Sequence, residues 1–241
     1  MPRVSCGCIS SGWNDSQGQS ISDVPLYYTT SSYQPGSRST LLCCDDFKPR
    51  LDNWVDLWYS NSYTGKPTKI VYYGAAVDKT PQGCNQNNSG STSRHENGGA
   101  FDLVGLDFSS RSYWWNDNYG NDKQFTMGVE ASCHRKFKYS LGHHYNSAHH
   151  DHIHMDDSYD VAYGSTSWAM NNFLLNSLND IFGYSFNTAK QSSGHNYYST
   201  AVRNAVNSVL TSYGGVSNPN ILAYPLHWEA YCRTAWLHGT D

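Results

Sequence analysis

Histidine is concentrated in one short stretch of this 241-residue chain. The sequence holds 11 histidines, and six of them fall between positions 143 and 154: His143, His144, His149, His150, His152 and His154. A neutral imidazole is a common zinc ligand and an effective proton shuttle near neutral pH. A histidine-rich tract can also be only a solvated or metal-scavenging surface. The sequence around the tract is therefore needed to decide between a specific metal-binding site and a solvent-exposed surface.

Two features of the sequence favour a specific metal-binding site. The segment 152–155 (HIHM) alternates polar and apolar residues, which predicts a strand whose i and i+2 side chains share one face. A separate segment, 93–102 (SRHENGGAFD), places His95 seven residues before Asp102 with two glycines and an alanine between them. Those small residues let a loop turn tightly. His95, Asp102 and one histidine of the strand at 152–154 then give three N/O ligands with an open fourth position, as in catalytic zinc sites.

These two segments resemble a known signature. The pattern Ser-x-His-x-x-Gly-x-Ala-x-Asp over 93–102, followed downstream by His-x-His over 152–154, is similar to the motif shared by the D-Ala-D-Ala metallopeptidases and the penicillin-insensitive murein endopeptidase. Both belong to the LAS-type zinc peptidase superfamily, in which the lysostaphin-type peptidases are more distant relatives. The segment 150–154 (HDHIH) is also similar to the extensin-like C-terminal domain. The resemblance covers about a quarter of the chain, from Ser93 to Asp156.

Carried over by position, the resemblance implies that His95, Asp102 and His154 bind one zinc ion (Zn2+). It implies that His152 assists proton transfer beside the metal-activated water, whose pKa zinc lowers to about 7. The murein endopeptidase carries a further histidine shortly before His-x-His. That histidine implies a second catalytic group at His149 or His150, and we expect it at His149.

The chain departs from the carboxypeptidase version of this pattern. D-Ala-D-Ala carboxypeptidases usually carry a glutamate shortly before the last ligand as general base, whereas no Glu lies between Glu130 and His154 here. Asp151 would be the substitute, but on a strand it is expected to face away from His152 and His154. We therefore expect the histidine-assisted, endopeptidase-like version.

Periodicity predicts the elements that must position these residues. Apolar or alternating segments predict strands over 69–73, 100–108, 125–129 and 152–155. Helical spacing predicts helices over 51–59, 168–182, 199–213 and 225–237. The expected fold is α+β, with a small antiparallel sheet carrying the zinc site. We expect a Cys-rich N-terminal extension over 1–50, a zinc peptidase-like core over 51–165 and a helical C-terminal extension over 166–241.

Composition limits the partners and the compartment. With a net charge of -4 and only 15% charged residues, the chain lacks the basic footprint of a nucleic-acid binder. No apolar run approaches the roughly 18 residues needed to span a bilayer. The seven cysteines form no C-x2-C zinc clip and predict a disulfide-stapled N-terminal segment in an oxidising compartment. The first residues lack a signal-peptide core, so the expected secretion requires a leader already removed or another export route.

The expected function is that of a secreted zinc-dependent peptidase that hydrolyses amide bonds in peptidoglycan peptides, as an endopeptidase or a carboxypeptidase. Its expected partner is peptidoglycan or a peptide substrate, and the oligomeric state stays open. One alternative is a non-catalytic cell-wall or glycan-binding module on the same zinc-binding fold. Another is a disulfide-stapled structural protein with an incidental histidine tract.

Overall fold

The computed structural model describes residues 18–30, 36–41, 43, 47–61, 63–75, 94–156, 161–189 and 199–241. Four of the seven cysteines lie outside these ranges: Cys6, Cys8, Cys44 and Cys84. The predicted stapling of the N-terminal segment through them therefore lies outside the described residues.

The described residues form an α+β structure around one sheet of eight strands. The strands are β1 (Ser20–Ile21), β2 (Val24–Tyr28), β3 (Ser37–Arg38), β4 (Lys69–Tyr72), β5 (Ala100–Asp107), β6 (Ser112–Trp114), β7 (Ser140–Leu141) and β8 (Ile153–Asp156). Their order is β1-β2-β4-β5-β8-β7, with β3 paired to β2 and β6 paired to β5. The strands predicted over 69–73, 100–108 and 152–155 are confirmed as β4, β5 and β8. The longest strand, β5, is therefore flanked by β4 and β8.

The sheet is mixed, and the predicted purely antiparallel sheet is wrong. Strands β2 and β4 pair in parallel, with Leu26 opposite Ile70, whereas the other described pairs are antiparallel. Two parallel neighbours need a long crossover, usually through a helix, because a hairpin reverses the chain direction. Helix α1 (Lys48–Tyr59) lies in the connection between β2 and β4. This pairing brings residues from the first fifty positions into the same sheet as β5.

The described part of the chain contains six α-helices in addition to the sheet. Besides α1, they are α2 (Trp115–Asn121), α3 (Lys123–His134), α4 (Trp168–Asp180), α5 (Thr200–Ser212) and α6 (Pro225–Gly239). The predicted helices are confirmed as α1, α4, α5 and α6. Ser199 caps α5 by accepting a hydrogen bond from the Val202 backbone N–H at 3.3 Å, which satisfies a donor left unpaired at a helix start.

The strand predicted over 125–129 is wrong, because these residues lie within α3. Every residue of α3 from Phe125 to His134 is buried. A helix buried on all sides shows no amphipathic stripe, so a short apolar run within it looks the same as a buried strand. The decisive local feature is the cap, where the Asp122 carboxylate accepts from the Phe125 backbone N–H at 3.1 Å.

Helices α1, α3 and α6 share one hydrophobic core. Trp58 of α1 packs edge-to-face on Trp236 of α6, with ring centroids 5.4 Å apart. Gly128 of α3 and Gly239 of α6 meet backbone to backbone, since a Cβ added to Gly239 would lie 2.6 Å from the Gly128 Cα atom. The C-terminal helix is therefore a structural part of the core that supports the sheet.

Among the described cysteines, Cys43, Cys133 and Cys232, the structure shows none of the expected disulfides. Cys133 and Cys232 lie fully buried on α3 and α6 as free thiols. Burial raises the pKa of both thiols well above the usual range, which keeps them protonated and unreactive. They act as small apolar residues of the core. Among the described helices, none has the length and apolar character that crossing a bilayer requires.

Candidate metal centre

Three neighbouring chain segments place the centre on one face of the sheet. Asp102 of β5 lies directly opposite His154 of β8. On the other side of β5, the Tyr73 backbone N–H donates to the Asp102 carbonyl oxygen at 3.0 Å. Since strand side chains alternate between faces, the neighbours Phe101 and Leu103 enter the buried core. Asp102 and His154 consequently project from the opposite face.

His95 reaches the centre from a 3-10 turn, Arg94–Asn97, that precedes β5. The turn ends at Gly98, whose φ of 64° lies in the left-handed region that glycine adopts most easily. The Gly98 backbone N–H donates to the His95 carbonyl oxygen at 3.1 Å and closes the turn. The tight glycine turn predicted between His95 and Asp102 is therefore confirmed.

The three predicted ligands converge. Asp102 Oδ1 lies 2.9 Å from His154 Nδ1 and 3.2 Å from His95 Nε2. The two imidazole nitrogens are 3.0 Å apart. Zinc bonds of about 2.0–2.2 Å in a tetrahedral arrangement place ligand atoms roughly 3.3 Å from one another. His95, Asp102 and His154 thus form a possible metal-binding triad whose donor set of two nitrogens and one oxygen fits zinc.

The electrostatics of the triad suit a cation. Burial would raise the pKa of Asp102, but hydrogen bonds with His154 and His95 hold it well below the usual range. Burial would likewise lower the pKa of His154, but contacts with the carboxylates of Asp102 and Asp156 raise it to about 9. In the metal-free protein a proton on His154 therefore balances the carboxylates, in the place where a bound cation would supply positive charge.

Asp156 belongs to the surroundings of the triad and was not among the predicted site residues. Its Oδ2 lies 3.8 Å from His154 Nε2, the ring nitrogen opposite the one that faces Asp102. Histidines that bind metals commonly turn their second nitrogen toward a carboxylate, which orients the ring. The sequence could have predicted this contact, because Asp156 is two positions after His154 and therefore lies on the same face of the strand.

His152, which was predicted to be a catalytic group, borders the triad. Its Nε2 lies 3.7 Å from Asp102 Oδ1, which is longer than a hydrogen bond. Its other nitrogen, Nδ1, lies 2.9 Å from Asp151 Oδ1. The orientation predicted for Asp151 is therefore wrong. Because β8 begins at Ile153, Asp151 and His152 precede the strand, and the alternation of strand side chains does not separate them.

His149 also lies beside the centre. Its ring centroid is 5.1 Å from that of His152 and 6.0 Å from that of His154. Its Nδ1 is 2.7 Å from the side-chain oxygen of Asn146, which also accepts from the Ala148 backbone N–H at 2.9 Å. Burial, with the charges of His152 and His154, lowers the pKa of His149 to about 4. The imidazole of His149 is consequently neutral at pH 7.

The remaining histidines of the tract form a separate cluster. The His143 ring stacks on Tyr119 at 3.7 Å and on His150 at 4.8 Å. The Tyr119 hydroxyl contacts Nε2 of His144. Burial lowers the pKa of His144 to about 4. The tract thus divides between the candidate metal centre and an aromatic stack beside it.

One comparison with known proteins covers this site. Residues 80–164 match the family model described as Extensin-like protein C-terminus. The matched segment is about a third of the chain and contains all five predicted site residues. No curated protein and no solved structure matches the chain. The similarity to the extensin-like C-terminus seen in 150–154 is therefore confirmed as a similarity of this segment.

Proposed function

We propose that this chain is a secreted zinc-dependent peptidase that hydrolyses amide bonds in peptidoglycan peptides. The observation that carries the proposal is the convergence of His95, Asp102 and His154, whose ligand atoms lie within 3.2 Å of one another. The resemblance of this ligand pattern to the D-Ala-D-Ala metallopeptidases and the murein endopeptidase supports the substrate class. Zinc bound here would polarise a scissile carbonyl and make hydroxide accessible at neutral pH.

His152 is the residue we assign to proton transfer. Because Asp151 Oδ1 lies 2.9 Å from His152 Nδ1, and a carboxylate only accepts hydrogen bonds, Nδ1 carries the ring proton. The lone pair on Nε2, 3.7 Å from Asp102 Oδ1, is then turned toward the triad. In this position Nε2 takes a proton from the attacking water and afterwards delivers it to the leaving amine nitrogen.

His149 supports this chemistry as a second, neutral imidazole. The side-chain oxygen of Asn146 accepts a hydrogen bond from His149 Nδ1, so Nε2 holds the lone pair. With a pKa lowered to about 4, His149 accepts hydrogen bonds at neutral pH. We assign it to holding the substrate or the attacking water beside His152.

A second candidate function is a non-catalytic module that binds cell-wall polymer or glycan. The observation in its favour is a set of exposed aromatic side chains. Tyr59, Tyr63, Tyr213 and Tyr224 each expose more than half of their surface. Tyrosine combines an apolar ring with a hydrogen-bonding hydroxyl, which suits contact surfaces.

The two functions are separated by incubating the zinc-loaded protein with purified peptidoglycan and analysing the soluble muropeptides by mass spectrometry. A peptidase releases products with new amine termini, and both a chelator and His152→Ala abolish this release. The matched control is His227→Ala on α6, which should release products at the wild-type rate. Cosedimentation with insoluble wall material, persisting after chelation and without new amine termini, would instead establish the binding module.

A further inference from the structure

A chain of side-chain contacts runs from Tyr73, the residue directly after β4, to the candidate metal centre. The Tyr73 hydroxyl donates to Asp151 Oδ2 at 3.0 Å. The other oxygen of that carboxylate, Oδ1, lies 2.9 Å from His152 Nδ1. His152 Nε2 then lies 3.7 Å from Asp102 Oδ1 in the triad. All four residues are partly shielded from solvent.

We infer that Asp151 and Tyr73 are positioning residues that fix the tautomer and the ring orientation of His152. This inference rests on the proposed function, in which His152 transfers protons. The Asp151 carboxylate accepts and never donates, so it selects the tautomer with the proton on Nδ1. In the opposite tautomer Nε2 would carry the proton and could not take one from water.

Tyr73 holds the carboxylate in the orientation that this selection requires. Its hydroxyl donates a hydrogen bond to Asp151 Oδ2, and this bond opposes rotation of the carboxylate away from the imidazole. Its ring also meets the imidazole of His152 edge-on, with centroids 5.7 Å apart and planes at 80°. Tyr73 is itself anchored, because its backbone N–H donates to the Asp102 carbonyl oxygen at 3.0 Å. One residue thus ties the orientation of His152 to the strand that supplies a predicted ligand.

A purely structural ion pair would behave differently from a positioning device. The side chain of Asp151 is 39% exposed, and exposed pairs of this kind contribute little to stability. Removal of Asp151 should therefore leave folding and the triad intact while changing the protonated nitrogen of His152. Two measurements distinguish the positioning role from a structural one: the tautomer of His152, and a decrease in kcat without a change in KM.

The tautomer is read directly by two-dimensional ¹H–¹⁵N NMR of the imidazoles, in the metal-free and zinc-loaded protein. In the wild type we expect His152 as the Nδ1–H tautomer with a hydrogen-bonded Nδ1 proton. In Asp151→Ala we expect this proton signal to disappear and the Nε2–H tautomer to appear. Matched controls are Asp107→Ala, at the far end of β5, and Tyr28→Phe on β2, and both should keep the wild-type His152 signals.

Kinetics on a soluble muropeptide supply the second readout. Asp151→Ala should lower kcat by roughly 10- to 100-fold with an unchanged KM and unchanged zinc content, as is typical when an orienting partner is lost. Tyr73→Phe should lower kcat by a smaller factor. Because Tyr73 acts through Asp151, Tyr73→Phe should have no further effect in the Asp151→Ala background. Thermal unfolding of each variant checks that it is folded.

Different experimental results would refute the positioning role of Asp151 and the proposed peptidase function. If the wild type cleaves no peptidoglycan but the His152 tautomer follows Asp151, the proposed function is wrong and the positioning of His152 stands. If the wild type cleaves peptidoglycan but neither the tautomer nor kcat responds to Asp151→Ala, the positioning role is overturned. Equal, independent losses from Tyr73→Phe in both backgrounds would overturn the assignment of Tyr73.

Discussion

Removing the Asp102 carboxylate should weaken zinc binding far more than removing the His152 imidazole. Asp102 Oδ1 contacts both ligand nitrogens, at 2.9 Å and 3.2 Å. It is also the anionic member of the triad, and it lies in a site with little solvent access. Asp102→Ala would therefore leave a zinc ion among neutral imidazoles without its compensating charge.

The magnitudes of the two losses follow from these contacts. Leaving a buried charge without its partner costs about 3–5 kcal/mol, and 1.4 kcal/mol is about tenfold in affinity. We therefore expect Asp102→Ala to weaken zinc binding by at least roughly 100-fold. His152 Nε2 lies 3.7 Å from Asp102 Oδ1, a contact worth at most about 1 kcal/mol. His152→Ala should accordingly weaken zinc binding by roughly fivefold or less, while it abolishes turnover.

The assay is competition for zinc against a chromophoric chelator, together with metal analysis of the purified variants. Asp107→Ala is the matched control, because Asp107 lies on the same strand and pairs with Lys69 at 3.8 Å, away from the centre. Equal zinc loss in His152→Ala and Asp102→Ala would show that His152 is a fourth ligand and would refute the division of roles. Undiminished zinc binding by Asp102→Ala would refute the triad itself.

Three further predictions follow from the same geometry. Because the pKa of His154 is raised to about 9, this residue is protonated in the metal-free protein at pH 7.5. Zinc uptake should then release about one proton per ion from His154, in addition to the proton that zinc-bound water loses at this pH, measured by calorimetry in buffers of different ionisation enthalpy. Gly98→Ala should lower the free energy of unfolding by about 1 kcal/mol, because φ is 64° at this position. It should also weaken zinc binding by displacing His95. Urea unfolding measures the first effect and zinc titration the second. Gly128→Ala should destabilise the protein by about 1–3 kcal/mol, since its Cβ would lie 2.8 Å from the Gly239 carbonyl carbon, whereas Gly120→Ala, with no atom within 4 Å, should not.

Local patterns in the sequence determined the possible metal-binding triad and most of the elements. The spacing of His95, Gly98 and Asp102 encodes a turn that glycine closes at φ 64°, and this conformation depends on neighbouring residues alone. Helices α4, α5 and α6 were predictable for a similar reason, because side-chain periodicity and helix caps are local features. The strand that carries Asp102 was predictable from its long apolar run.

Tertiary structure decided what depends on pairing and burial. The apolar run at 125–129 lies in α3, and because every residue of it is buried, its apolar pattern does not distinguish a helix from a strand. The parallel pairing of β2 with β4 depends on the crossover through α1, which brings together residues more than forty positions apart. At the centre, the contact between Tyr73 and Asp151 joins residues 78 positions apart. A contact of that range is set by the register of β4 on β5 and of β5 on β8, which the sequence around either residue does not encode.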